Sequence, residues 1–127
     1  MSIRSPRVLP LLLAVVVLAC TSPTEPRQLR VIAAANTVTI ENPNDWPVFY
    51  LLANPKFLAV VDLALCEDPA SNCPRVPPRG TVHVAYSDIV GYDAAETEAT
   101  LMQWRLERQV DGTYRSRDFQ TVSVGLR

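Results

Sequence analysis

From residue 29 to residue 126 the chain never keeps one long periodicity: short apolar or alternating runs are separated by proline, asparagine and glycine. That punctuation is the signature of an all-β domain. Residues 30–33 fit a first short strand and Asn36 a turn. Thr37-Val38-Thr39-Ile40-Glu41 then alternates, which puts Val38 and Ile40 on a buried face. Asn42-Pro43-Asn44-Asp45 is a turn cluster, followed by the most apolar run of the domain, residues 46–53. There Trp46, Val48, Tyr50 and Leu52 share one face and Phe49, Leu51 and Ala53 the other. With both faces apolar, this strand is expected at the centre of its sheet or covered on its second side.

Residues 57–65 are apolar except for Asp62, and the Val60-Val61 pair with proline-rich flanks favours a strand. A helix with Phe57, Val60, Val61 and Ala64 on one face is the alternative. After a proline-bearing loop at 66–80, Val82, Val84 and Tyr86 face one way. A single helical turn capped by Ser87 is expected at 87–91, then an acidic connection. Residues 100–107 alternate again, with Trp104 as the expected core contribution. Asp111-Gly112 marks a tight hairpin, and the returning strand over 114–126 should bury Val122, Val124 and Leu126.

About seven strands in about one hundred residues, with turns at this spacing, fit a two-sheet sandwich. Asn-Pro after the second strand, Pro-Pro-Arg-Gly before the fifth and a tryptophan on the sixth resemble small immunoglobulin-like or fibronectin-like modules of bacterial surface lipoproteins. The resemblance covers residues 29–126 and implies an immunoglobulin-like β-sandwich. The inter-sheet disulfide of antibody domains is missing, and a small open barrel would give a similar string of strands.

The first twenty residues read as an address. Arg4 and Arg7 give a positive start, residues 8–18 are apolar apart from Pro10, and Val17-Leu18-Ala19-Cys20 closes the run. This is a signal peptide, too short for a permanent span and without a charge between Arg7 and Glu25 to stop transfer. Its last four residues resemble the lipobox of bacterial lipoproteins, although Val17 and Leu18 depart from the commonest residues there. The resemblance implies that residues 1–19 are removed and that Cys20 is lipidated, by acyl chains of the palmitate kind, as the anchor. Two or three such chains hold a protein to a membrane durably. An ordinary secretory signal is the alternative. Thr21 after the cysteine, where Asp is absent, implies the outer membrane if the host has two. Residues 20–28, polar and proline-bearing, read as a tether, and residues 29–127 as the domain.

The two remaining cysteines, Cys66 and Cys73, flank a turn-rich segment, and an even pair outside the cytoplasm is expected to form a disulfide. A redox pair or two metal ligands are the alternatives; the first lacks the two-residue spacing and the second lacks more ligands. Without residues 1–19 the chain keeps ten Lys and Arg against thirteen Asp and Glu, and no aromatic stripe interleaves the basic residues. That balance argues against nucleic acid and anionic lipid as partners.

Chemistry is scarce. The single histidine, His83, is expected to face solvent, and no serine sits in a nucleophile elbow. Asp88, Asp93, Glu96 and Glu98 lack the repeated spacing of a Ca²⁺ loop. No catalytic residue, metal or cofactor is assigned, and enzyme activity is not expected. Phe49, Leu51, Leu101 and Tyr92, with Tyr114, would form an exposed docking patch unless loops cover them. An edge strand would offer a second docking mode. The sequence is therefore read as an envelope lipoprotein, held to the membrane through Cys20 and binding or assembling with another envelope protein. A protease inhibitor using loop 66–80 is the alternative, and a small metal-dependent binder a further one.

Overall fold

A computed structural model describes residues 25–126; the expected signal peptide and Cys20 lie outside the described residues. Seven strands form two antiparallel sheets. The first contains β1 (Arg30–Ala34), β2 (Thr37–Glu41) and β5 (Thr81–Ala85) in the order β1-β2-β5. The second contains β3 (Val48–Ala53), β4 (Arg75–Val76), β6 (Glu98–Arg108) and β7 (Tyr114–Gly125) in the order β4-β3-β6-β7. The alternation read in β2 is correct: Val38 and Ile40 are fully buried. They meet Val48, Leu52, Val76, Leu101 and Val124 in the core between the sheets. Each such side chain contributes about 1.5–3 kcal/mol of burial.

Turn chemistry sets the register. Ala34 pairs with Thr37, so the β1–β2 turn has two central residues, Ala35 and Asn36, at φ 52° and 59°. Two positive φ values make the mirror-image turn whose twist matches that of the strands. The β6–β7 hairpin closes with the Gln109 N–H on the Thr113 carbonyl at 2.7 Å and the Gly112 N–H on the Gln109 carbonyl at 3.0 Å. Gly112, at φ 86°, supplies the left-handed residue that a three-residue loop requires. Further down the hairpin, Gln103 faces Gln120 but Arg105 faces Arg117. Asp118 and Phe119 therefore oppose the single Trp104 in a β-bulge, with Asp118 at φ 56°.

Three expectations need correction. Residues 57–65 contain no strand: Asn54 caps a short helix, α1 (Pro55–Leu58), by accepting the Lys56 N–H at 2.9 Å. The chain leaves the sheet at that cap, no ladder forms over the following residues, and Val60 is left 81% exposed. The face of β6 is inverted. Ala99, Leu101 and Gln103 point between the sheets, while Trp104 is buried on the opposite face, beside its partner Phe49. Finally, the 3-10 turn at Tyr86–Asp88 has Ala85, not Ser87, at its N-cap, and no side chain caps it.

Candidate functional site

The proline-bearing loop is built as a lid. Cys66 and Cys73 are joined in a disulfide, with Cα atoms 6.3 Å apart. Inside the clip, the Asp68 carboxylate accepts the Ala70 N–H at 2.9 Å and the Ser71 hydroxyl at 3.2 Å, which closes the turn. Arg75 donates to the Pro69 and Ser71 carbonyls at 2.6 and 2.9 Å, and its guanidinium lies 4.8 Å from the Phe49 ring centre. The Trp104 indole donates to the Cys66 carbonyl at 3.0 Å. The clip thus covers the Phe49 and Trp104 part of the outer face of the four-stranded sheet.

The residues of the docking patch expected from the sequence do not come together on one exposed surface. Phe49 is 1% exposed, beneath Arg75 and beside Trp104, and Leu101 is fully buried on the inner face. Leu51 and Tyr114 are half-buried. Tyr92 alone of that set is exposed, its ring 6.5 Å from that of Tyr86. Alternation along β3 placed Phe49 off the inter-sheet core correctly. It carried no information about the chain that returns twenty residues later to cover it.

A second polar construction holds the start of the domain. Asn44 accepts the Arg27 N–H at 2.7 Å and donates to the Arg27 carbonyl at 2.8 Å. Its own position is fixed by Asn42, whose side-chain oxygen accepts the Asn44 N–H at 2.9 Å and whose amide donates to the Trp46 carbonyl at 2.8 Å. Both asparagines are buried, so each bond is made in a site where an unpaired amide would be costly. Next to them Arg79 donates to Asp45 at 2.7 Å, and this hydrogen bond and charge hold the Asp45 carboxyl below its ordinary pKa. Arg27, Arg30, Glu41 and Arg79 line a groove of about 270 Å³. Arg105 stacks 4.5 Å over Trp46 and reaches Asp118 at 3.8 Å.

The remaining titratable residues are dispersed. His83 is exposed on β5 and shares a 3.1 Å hydrogen bond with Thr39 across the β2–β5 pair. Lys56 pairs with Glu96, the Glu98 carboxylate accepts the Ser123 hydroxyl, and Asp93 accepts the Ala95 N–H at 3.0 Å. Among the described residues, no group of three or more His, Cys, Asp or Glu side chains comes together to hold a metal ion.

The side of the sandwich where β1 and β7 approach is open. Leu29, Val31 and Ala33 on one wall, and Val122 and Val124 on the other, line a groove of about 350 Å³. β1 and β7 are both edge strands. The sequence carried one signal for this: residues 120–125 hold neither charge nor proline. Compared with protein-family models, curated proteins and solved structures, the chain matches none.

Proposed function

We propose that the chain is a lipid-anchored envelope protein whose immunoglobulin-like sandwich serves as a protein-binding or assembly module. The observation that supports this reading is how soon after Cys20 the ordered domain begins. Arg27 is held by Asn44 only seven positions after Cys20. A link of that length spans at most about 24 Å. On this reading the end of the sandwich bearing Arg27, Arg30 and Arg79 faces the membrane, and the acidic end bearing Asp88, Asp93 and Glu96 points away. The disulfide supports an oxidising compartment. The finer fold assignment is supported by the division of seven strands into a three-stranded sheet, β1-β2-β5, and a four-stranded one, β4-β3-β6-β7.

The test is crosslinking in the native host, with purification through a C-terminal tag, of the wild type beside Cys20→Ala. Mass analysis of the Cys20 peptide runs alongside. Acyl mass on Cys20, with one identified envelope protein captured only when Cys20 is intact, is the expected result. A Cys20 peptide without acyl mass removes the anchor. Failure to capture a specific protein from either form removes the docking role.

A further inference from the structure

We infer that the lower half of β7 is a self-pairing edge, and that its occupant is β7 of a second copy of this chain. β7 bonds to β6 on one side only, so the other side presents a row of backbone donors and acceptors. Natural sheets blunt such edges with charges, prolines or bulges. The upper half of β7 uses these devices: Arg115, Arg117 and Asp118 lie there, and Asp118 sits in the bulge. The lower half, Gln120-Thr121-Val122-Ser123-Val124-Gly125, has none of them.

The groove beside it selects the occupant. Three half-covered apolar side chains, Val31, Ala33 and Val122, line it beside the exposed polar atoms of the strand edges. An incoming strand that fits must be polar outward and must carry small β-branched side chains inward. β7 itself has that pattern. With a two-fold axis through Ser123, antiparallel pairing sets Val122 against Val124 of the second copy, and does so twice. Thr121 then faces Gly125 on the outer side, and Ser123 faces its own copy. Each copy places its valines over the Val31 and Ala33 wall of the other. Moving the axis to Val122 keeps one valine pair and sets Gln120 against Val124 in the apolar layer, which is the poorer arrangement. The two four-stranded sheets join into one of eight strands, through an isologous interface that closes on itself.

This deepens the docking reading by naming the edge and the partner, and it is independent of the lipid on Cys20. The experiment uses the mature chain, with its disulfide intact, in detergent or on vesicles. Sedimentation is expected to show a concentration-dependent dimer, and Ser123→Glu, which sets two carboxylates opposite each other and beside those of Glu98, to weaken it about ten-fold or more. Ser123 is exposed, so this variant should keep the wild-type circular dichroism spectrum. As a second arm, Ser123→Cys treated with diamide should give a covalent dimer, because directly opposed strand residues lie within disulfide reach. Arg115→Cys, eight positions from the axis, should not. A wild-type monomer throughout, or equal crosslinking of the two cysteine variants, overturns self-pairing. In that case the anchor and envelope-partner reading stands or falls on its own capture experiment.

Discussion

Trp104 donates its indole N–H to the backbone carbonyl of Cys66 at 3.0 Å, joining a central strand to the disulfide loop on the face turned away from the other sheet. The sandwich therefore has a second, smaller buried region outside its inter-sheet core, built from Phe49 and Trp104 under the clip. Its stability depends on a segment that contributes only two residues to any ladder.

Opening the clip should therefore expose aromatic surface. By the loop-entropy argument, Cys66→Ser with Cys73→Ser should lower stability by about 2.5 kcal/mol. A shift of tryptophan emission to longer wavelength should accompany it, because Trp104 loses its cover. Denaturant unfolding read by fluorescence checks both. A double variant with an unshifted spectrum would mean that the lid holds without its disulfide.

The Asn44 pin is testable on its own. Asn44→Ala removes both bonds to Arg27 and leaves the Asn42 side-chain oxygen with one partner fewer. A loss of about 1–3 kcal/mol is expected, with faster tryptic cleavage after Arg27. An unchanged cleavage rate at Arg27 would show that other contacts hold this segment.

How much of this was legible in the sequence depends on whether a residue's partner lies nearby in the chain. β2 and the β6–β7 hairpin were readable, because strict alternation in Thr37–Glu41 and the Asp111-Gly112 turn are local signals. The disulfide was readable from an even pair of cysteines flanking a turn-rich segment. The face of β6 was not: Leu101, Met102 and Trp104 make both faces apolar, so alternation alone does not choose between them. Residues 57–65 were misread for a related reason. Their β-branched composition is real, but the Asn54 cap and Pro55 turn the chain into α1 directly after β3. The Phe49 lid and the Asn44 pin join residues 17 to 38 positions apart, and no local pattern encodes them.

Acid sensitivity should have two separable parts. Asp45 is held below its ordinary pKa by the hydrogen bond and charge of Arg79. Asp111 is held down first by the Thr113 hydroxyl and then by the Thr113 N–H. A depressed carboxyl pKa means that the unfolded chain takes up the proton first. Each contribution is thus full above the ordinary carboxylate pKa near 4, and is lost as pH falls through the lower folded value. Melting temperature followed from pH 5 to pH 2 should fall, and Asp45→Asn and Asp111→Asn should each flatten that fall. Added salt should weaken the Asp45 share, which includes an exposed ion pair, and leave the Asp111 share nearly intact. Equal salt sensitivity of both would contradict this assignment.

The last prediction concerns the polar residue on the inner face. Gln103 is buried beside Leu101; its amide reaches Gln120 at 3.4 Å, and its side-chain oxygen has no hydrogen-bond partner among the described residues. A buried acceptor left unpaired costs about 1–3 kcal/mol, more than the long bond to Gln120 returns. Methionine has a similar length and volume and carries no such demand. Gln103→Met should therefore raise stability by about 1 kcal/mol, seen as a higher midpoint in urea at unchanged slope. The substitution leaves the outer face of β6 untouched, so the hydrogen bond from Trp104 to the Cys66 carbonyl should be kept. A loss of stability would instead show that the Gln103 amide is needed to hold Gln120 in register beside the bulge at Asp118.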